Sequence, residues 1–397
     1  MAPARACAPL TRCAVSPTSL RRGLIAGGAL SLVLASIYVV ATPRAAIPHL
    51  SSGRYLYVFP DGGLDVYDIA KHHRLVFHLD LPQAHSMRGV AAAVSTHRLF
   101  LSVGGNGGAN GNGSVVAIDL LTNHVVWQHS YPTGTDGLAV TPDGSRLYIP
   151  VGEHTMDDRW HVADARTGDV IAEIHAGPGP HNTVMSTDGR RVYLGPRNAS
   201  YLYVASTRTN RIVRRVGPLL PGVRPFTIDD ARGLAYTTAT GFLGFQVSSL
   251  STGRALYTVP VHGFSATNSL GTPSHGITLT PDGRMLFVID VPNGYVHAYD
   301  VSHVPAQPPR HVADIRLQHP LVGEETPCGG DCGRAGWLLT SLDGRYVYVG
   351  DGGDVIGTRS RTVVGFVPAL RNSRYPIEID WRNGVPSRTS TRSGTAH

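Results

Sequence analysis

Five side chains able to bind anions or carry protons recur along the chain: Arg88, Asp136, His181, Arg224 and His275, spaced 48, 45, 43 and 51 residues apart. Guanidinium forks match the paired oxygens of a carboxylate or phosphate. Arg88 and Arg224, with Asp136 and Asn182, are therefore the expected ligand-binding residues for a small anionic ligand. An imidazole changes charge near neutral pH, which makes His181 or His275 the expected catalytic base. The same residues also admit a structural arrangement, with Asp136 neutralising an arginine and the histidines bonded to neighbouring backbone across a water-filled channel. A metal reading takes His181 and His275, with His85 or Asp136, as ligands for zinc, copper or iron. Two arginines at one level oppose a cation and no local ligand motif accompanies the histidines, so the expectation is a protein without a metal or other cofactor.

Other motifs carry less chemistry. Cys328 and Cys332, in Pro-Cys-Gly-Gly-Asp-Cys-Gly, read as a loop-stapling disulfide or as a ligand pair with Asp331 and the more distant His319. The loop Gly104–Gly113 lacks the Gly-Lys-Ser/Thr ending of a phosphate cradle and leads into a strand, which makes it an inter-strand loop. The polar segment from Glu153 to His161, with Trp160 in it, occupies the corresponding loop of the next repeat, where it either covers a channel mouth or forms a solvated turn. No Gly-x-Ser-x-Gly elbow is present, so a serine hydrolase is unsupported.

The elements that must position these residues are set by a repeat. A turn followed by a short β-rich run places an aromatic at 57, 100, 148, 193, 236, 287 and 348, at intervals of 43, 48, 45, 43, 51 and 61 residues. Each unit reads as an alternating strand, a turn such as Pro-Asp-Gly, the aromatic strand, a third strand and a fourth. Four antiparallel strands per unit of that length describe a propeller blade, and seven units predict an all-β, seven-bladed β-propeller over residues 45–381. The five chemical side chains stand twelve residues before the aromatics, at the starts of innermost strands, where they should ring one mouth of the central channel. The neighbouring Gly89, Gly137 and Gly276 would let those strands crowd the axis. Residues 45–50 are expected to form the first blade's inner strand and residues 375–381 the last blade's outer strand, with the ring closing between the chain ends. Residues 302–334 read as an insertion between blades six and seven that could recognise a partner, and 382–397 as a disordered tail.

Tyr-Leu-Tyr-Val, Pro-Asp-Gly-Ser-Arg-Leu-Tyr-Ile, Ser-His-Gly-Ile-Thr-Leu-Thr-Pro-Asp-Gly and Asp-Gly-Arg-Tyr-Val-Tyr-Val resemble the YVTN-type β-propeller repeat family. The resemblance extends to the lactonase-like and amine-dehydrogenase-like superfamily, which implies lactone hydrolases, dehydrogenase subunits and non-catalytic binding proteins as alternatives. The channel ligands of a calcium lactonase, Glu, Asn and Asp, are matched only by Asp136 and Asn182.

Composition narrows the partners. The formal charge of +7 belongs to the two ends: residues 1–45 hold five arginines and no acid, and residues 46–370 carry −1. A nearly neutral body offers no basic stripe for phosphates, which excludes nucleic acid as the expected partner. The uncharged stretch 23–42, preceded by Arg5, Arg12, Arg21 and Arg22, reads as an N-terminal hydrophobic helix, either a cleaved signal or a membrane anchor, within a leader spanning 1–44. The body is then expected outside the cytoplasm (periplasmic, secreted or at the cell surface) as a monomer that binds a protein or a small anionic ligand at the channel face. The alternatives are a lactonase-like hydrolase using the channel Arg and His residues and a metal- or redox-associated subunit.

Overall fold

The computed structural model describes residues 50–267, 271–324 and 333–391. The apolar stretch 23–42, the rest of the leader and Cys328 and Cys332 lie outside the described residues. Seven antiparallel sheets succeed one another along the chain, six of four strands and one of five. Within blades two to seven the strand order is the chain order, from the axis outward. The fold is the expected seven-bladed β-propeller.

The register shows why the aromatic repeats. In blades two to seven the aromatic pairs across the innermost strand with the residue nine positions before it: Phe100 with Ala91, Tyr148 with Ala139, Tyr193 with Val184, Tyr236 with Thr227, Phe287 with Thr278 and Tyr348 with Leu339. All seven aromatics are buried in the cores between sheets. Several tyrosines add a polar link to the next blade: the Tyr148 hydroxyl donates to Asn210 Oδ1 at 2.9 Å and the Tyr193 hydroxyl to Asp230 Oδ1 at 2.8 Å. A large apolar ring with a polar tip suits that position, since burial stabilises the ring and the hydroxyl finds a fixed acceptor.

Ring closure differs from the expectation. The strand Ile377–Arg382 pairs with Gly53–Val58 of the first blade, with Ile377 opposite Tyr57, so it occupies the inner place expected of residues 45–50. The outer strand of blade seven is Thr362–Phe366, and residues 375–381 do not serve there. The physical reason is the bonding available at that edge. Glu378, fully buried, accepts from Arg54 Nε and Nη2 at 3.0 and 2.8 Å and from the Leu342 amide of blade seven at 2.7 Å. The Trp381 indole N–H donates to the Tyr57 hydroxyl at 2.9 Å.

The boundaries of the tail and the insertion also move. Val385–Thr389 forms a fifth strand on Ile377–Arg382, and Ser390 and Thr391 reach a small space lined by the inner strands of blades two, three and four. Residues 382–391 therefore belong to the ring, because their backbone completes the sheet edge left by the closing strand. Arg310–Arg316, inside the expected insertion 302–334, is the outer strand of blade six.

Closure of this kind predicts an asymmetry. Trp381→Ala should cost about 3–5 kcal/mol of stability, the usual loss for a buried tryptophan, read as a lowered urea midpoint. Arg382→Ala, exposed at the end of the same strand, should unfold at the wild-type midpoint.

Candidate functional site

Backbone irregularities place the candidate residues. In blade two the pairing register slips between Met87 and Gly89, in blade four between Pro180 and Asn182, and in blade five between Val223 and Phe226. Arg88, His181 and Arg224 fall in those slips. A bulge inserts an unpaired residue and re-aims its side chain, here at the same level of three inner strands. Asp136 and His275 precede the short inner strands Ala139–Val140 and Ile277–Leu279. Gly89 permits the convergence, since a Cβ there would stand 2.8 Å from the Cα of Gly137 in the adjacent blade.

Most of the expected residues meet. His181 Nδ1 lies 2.6 Å from Asp136 Oδ2, and Arg88 Nη2 lies 3.6 Å from the same oxygen. The His181 and His275 ring centroids are 6.0 Å apart, and His275 stands edge-on to Trp337 at 5.1 Å. Arg224 donates from Nε to Thr240 Oγ1 at 2.9 Å. Arg88, Asp136, His181, Asn182, Arg224 and His275 are all buried, none more than 7% exposed.

The hub of the cluster is Glu153, which sequence reasoning placed only within a mouth-covering loop. Its carboxylate takes an ion pair from Arg88, a hydrogen bond from Arg197 Nη1 at 2.7 Å, and longer approaches from His181 Nδ1 at 3.3 Å and Arg224 Nη1 at 3.9 Å. The glycine-rich loop supports it: the His154 amide donates to Gly107 O at 2.8 Å, and a Cβ on Gly107, at φ +59°, would meet the Glu153 Cβ at 2.7 Å. Gly104–Gly113 is thus a close-packed support. Arg197 and Asp351, which faces Arg374 Nε at 3.7 Å, were also missed. Glu153, Arg197 and Asp351 all follow their unit's aromatic by three to five residues, so comparing that loop position across units is the signal that finds them.

Electrostatics set the protonation states. Burial, reinforced by Arg224, Arg197 and Arg88, pushes the His181 imidazole well below its usual range against the pull of Glu153. Burial, with His181, Arg224 and Arg374 adding to it, does the same to His275. Burial alone would raise Glu153, but its neighbours, His181 and Arg88 foremost, outweigh it and hold the carboxyl well below the usual range. A neutral His181 that donates from Nδ1 to Asp136 carries its lone pair on Nε2. That atom is buried and has no hydrogen-bond partner among the described residues; the same holds for His275 Nδ1, Asn182 Nδ2 and Oδ1, and Arg88 Nε.

The metal set His85, His181 and His275 is not assembled. His85 bonds through Nδ1 to Asp61 at 2.9 Å, and its side chain is largely exposed. Asp136, Glu153 and His181 do bring three donor atoms within 4.8 Å of one another. Their oxygens are already held by guanidinium groups, which would repel a cation at that point.

Fold and cluster define a propeller with a charged axial site. No protein-family model matches the chain, and no curated protein matches it in sequence. Among solved structures it is similar to Kuenenia stuttgartiensis hydrazine synthase, with a TM-score of 0.51 and 16% identity over 77% of this chain and 95% of that one. It is also similar to the dihydro-heme d1 dehydrogenase NirN in complex with DHE, with a TM-score of 0.57 and 14% identity over 89% of this chain and 73% of that one. At such identities the likeness shows the shared fold.

The depressed histidines make a prediction about pH. Below about 6.5 the unfolded imidazoles take up protons that the folded ones refuse, so stability is full above that pH and falls as the solution is acidified. His275→Gln should flatten the acid limb of a stability–pH curve by up to one proton, about 1.4 kcal/mol per pH unit, in urea titrations between pH 4 and 7.

Proposed function

We propose that the protein is an exported or membrane-tethered propeller of the YVTN type that binds a small acid at the axial cluster. The observation that carries this reading is His181 Nε2: buried, without a hydrogen-bond partner among the described residues, and opposite the Nδ1 that faces Asp136 at 2.6 Å. Around it three guanidinium groups, Arg88, Arg197 and Arg224, accompany two carboxylates, Asp136 and Glu153. Three guanidinium groups against two carboxylates favour an anionic ligand. The lone pair favours a hydrogen-bond donor on the same ligand, so the matching class is a hydroxycarboxylic acid: carboxylate toward the arginines, hydroxyl toward His181.

A second reading draws on the same pair. A neutral imidazole oriented by a carboxylate is the arrangement of a general base. With water as its partner it would support the hydrolysis of a lactone whose product is that hydroxy acid, with Arg224 orienting the acyl group. At the axial cluster the metal- or redox-associated alternative has only the names of the two structural neighbours behind it, and the guanidinium charge there weighs against it.

Calorimetry with hydroxycarboxylates and their deoxy analogues tests the proposal. The hydroxy acids should bind more tightly than the analogues. Arg224→Gln should weaken binding tenfold or more, the size of one charge-assisted hydrogen bond, and His181→Gln severalfold, the size of a neutral one. Binding indifferent to both substitutions, or no binding across the panel, overturns the reading. Lactone hydrolysis that disappears in His181→Gln would make the site catalytic.

A further inference from the structure

A second cluster of donor atoms sits far out on blade six. Its third strand, Tyr295–Asp300, pairs with the outermost strand, Arg310–Arg316. Residues three apart on a regular strand point to opposite faces. Here the register slips between Ala298 and Tyr299, whose partners are Ala313 and His311, and the extra residue, Val312, turns His311 and Asp314 to one side. They meet His297, directly opposite Asp314 in the pairing. Asp314 Oδ1 lies 2.6 Å from His297 Nδ1 and 2.7 Å from His311 Nε2. The three residues bring one donor atom each within 4.8 Å of the others.

The far side of His297 is also built. Its Nε2 lies 3.1 Å from Asp290 Oδ2, and both side chains are fully buried. Asn293 Nδ2 in turn donates to the two Asp290 oxygens at 2.7 and 2.9 Å. A carboxylate behind the second ring nitrogen fixes the tautomer and plane of an imidazole that ligates through the first. Phe264 packs edge-on to the His297 ring at 4.9 Å and holds it from another side. On the open side, His311 and Asp314 line a cavity of about 320 Å³ between blades five and six, together with His262, Tyr257 and Tyr299.

We propose that His297, His311 and Asp314 bind one divalent cation of the zinc class, with the remaining coordination positions open to that cavity. Two imidazoles and one carboxylate are the donor set of three-ligand zinc sites. In contrast to the axial cluster, no arginine appears among the described residues that contact these donors or line the cavity. The site lies on the outer strands and stands independently of the acid-binding proposal.

The test uses the full chain, stripped with a chelator and titrated with zinc chloride by calorimetry, with metal content measured after desalting. One zinc per chain is expected. His311→Ala and Asp314→Asn, both at partly exposed positions, should each lower the affinity at least tenfold. Asp290→Asn should lower it about 10–100-fold without removing a ligand, which adsorbed metal would not show. The doubled Cys328→Ser, Cys332→Ser variant should bind as the wild type does. The proposal is overturned by zinc binding that ignores His311→Ala and Asp314→Asn, by binding lost with the cysteines or with His181→Gln instead, or by no retained zinc.

Discussion

The closing strand is the constraint on which the ring depends. Seven sheets in a circle bury their faces against one another, but the first sheet has an open inner edge until another strand fills it. Ile377–Arg382 fills it from the other end of the chain, and Glu378 ties that strand simultaneously to Arg54 of the first blade and to Leu342 of the last. Ile377, Ile379 and Trp381 of that strand also join the apolar core beside blade one, since each sheet gains its apolar burial from its neighbours. Val385–Thr389 then covers the edge that the closing strand itself exposes.

Closure also fixes the geometry at the axis. Inner strands approach closely enough that Gly89 faces Gly137 without room for a Cβ, and bulges throw Arg88, His181 and Arg224 off the regular pleat. Charges gathered this way are expensive to bury, and an unpaired one costs several kcal/mol. The cluster answers with alternation: Arg197, Glu153, Arg88 and Asp136 form a chain of opposite signs that ends on the neutral His181. Much of the guanidinium charge that suggested a ligand site is thus balanced inside the protein. Among the described residues the network leaves a set of polar atoms without hydrogen-bond partners, His181 Nε2 and the Asn182 amide among them, and the proposed small polar guest rests on those.

The sheets and the axial residues were legible because both follow the blade period. An aromatic paired across the inner strand at a constant offset announces each blade, and side chains twelve residues before it inherit the same alignment. Three things were hidden. The closing strand could not be read because Ile377–Arg382, unlike the inner strands of blades two to seven, follows its blade's aromatic, on a different stretch of chain. Glu153 was hidden because a loop's role depends on what packs beneath it, here the glycines at 104–108. The His297 cluster was hidden because it needs a one-residue slip on an outer strand; the alternating pattern of Arg310–Arg316 would otherwise place His311 and Asp314 on opposite faces.

The same device builds both sites. A regular blade alternates its side chains and repeats them, so its pleat alone cannot converge two donors three apart in sequence or turn an arginine out of line. An inserted residue breaks the alternation at one point and leaves the remaining strands to hold the new direction rigidly. At the axis the displaced groups are mostly cations held against buried carboxylates. On the rim of blade six they are two imidazoles and a carboxylate backed by Asp290. Both clusters are therefore shaped by slips in the strand pairing, which explains how two groups of such different charge can occupy one nearly symmetric ring.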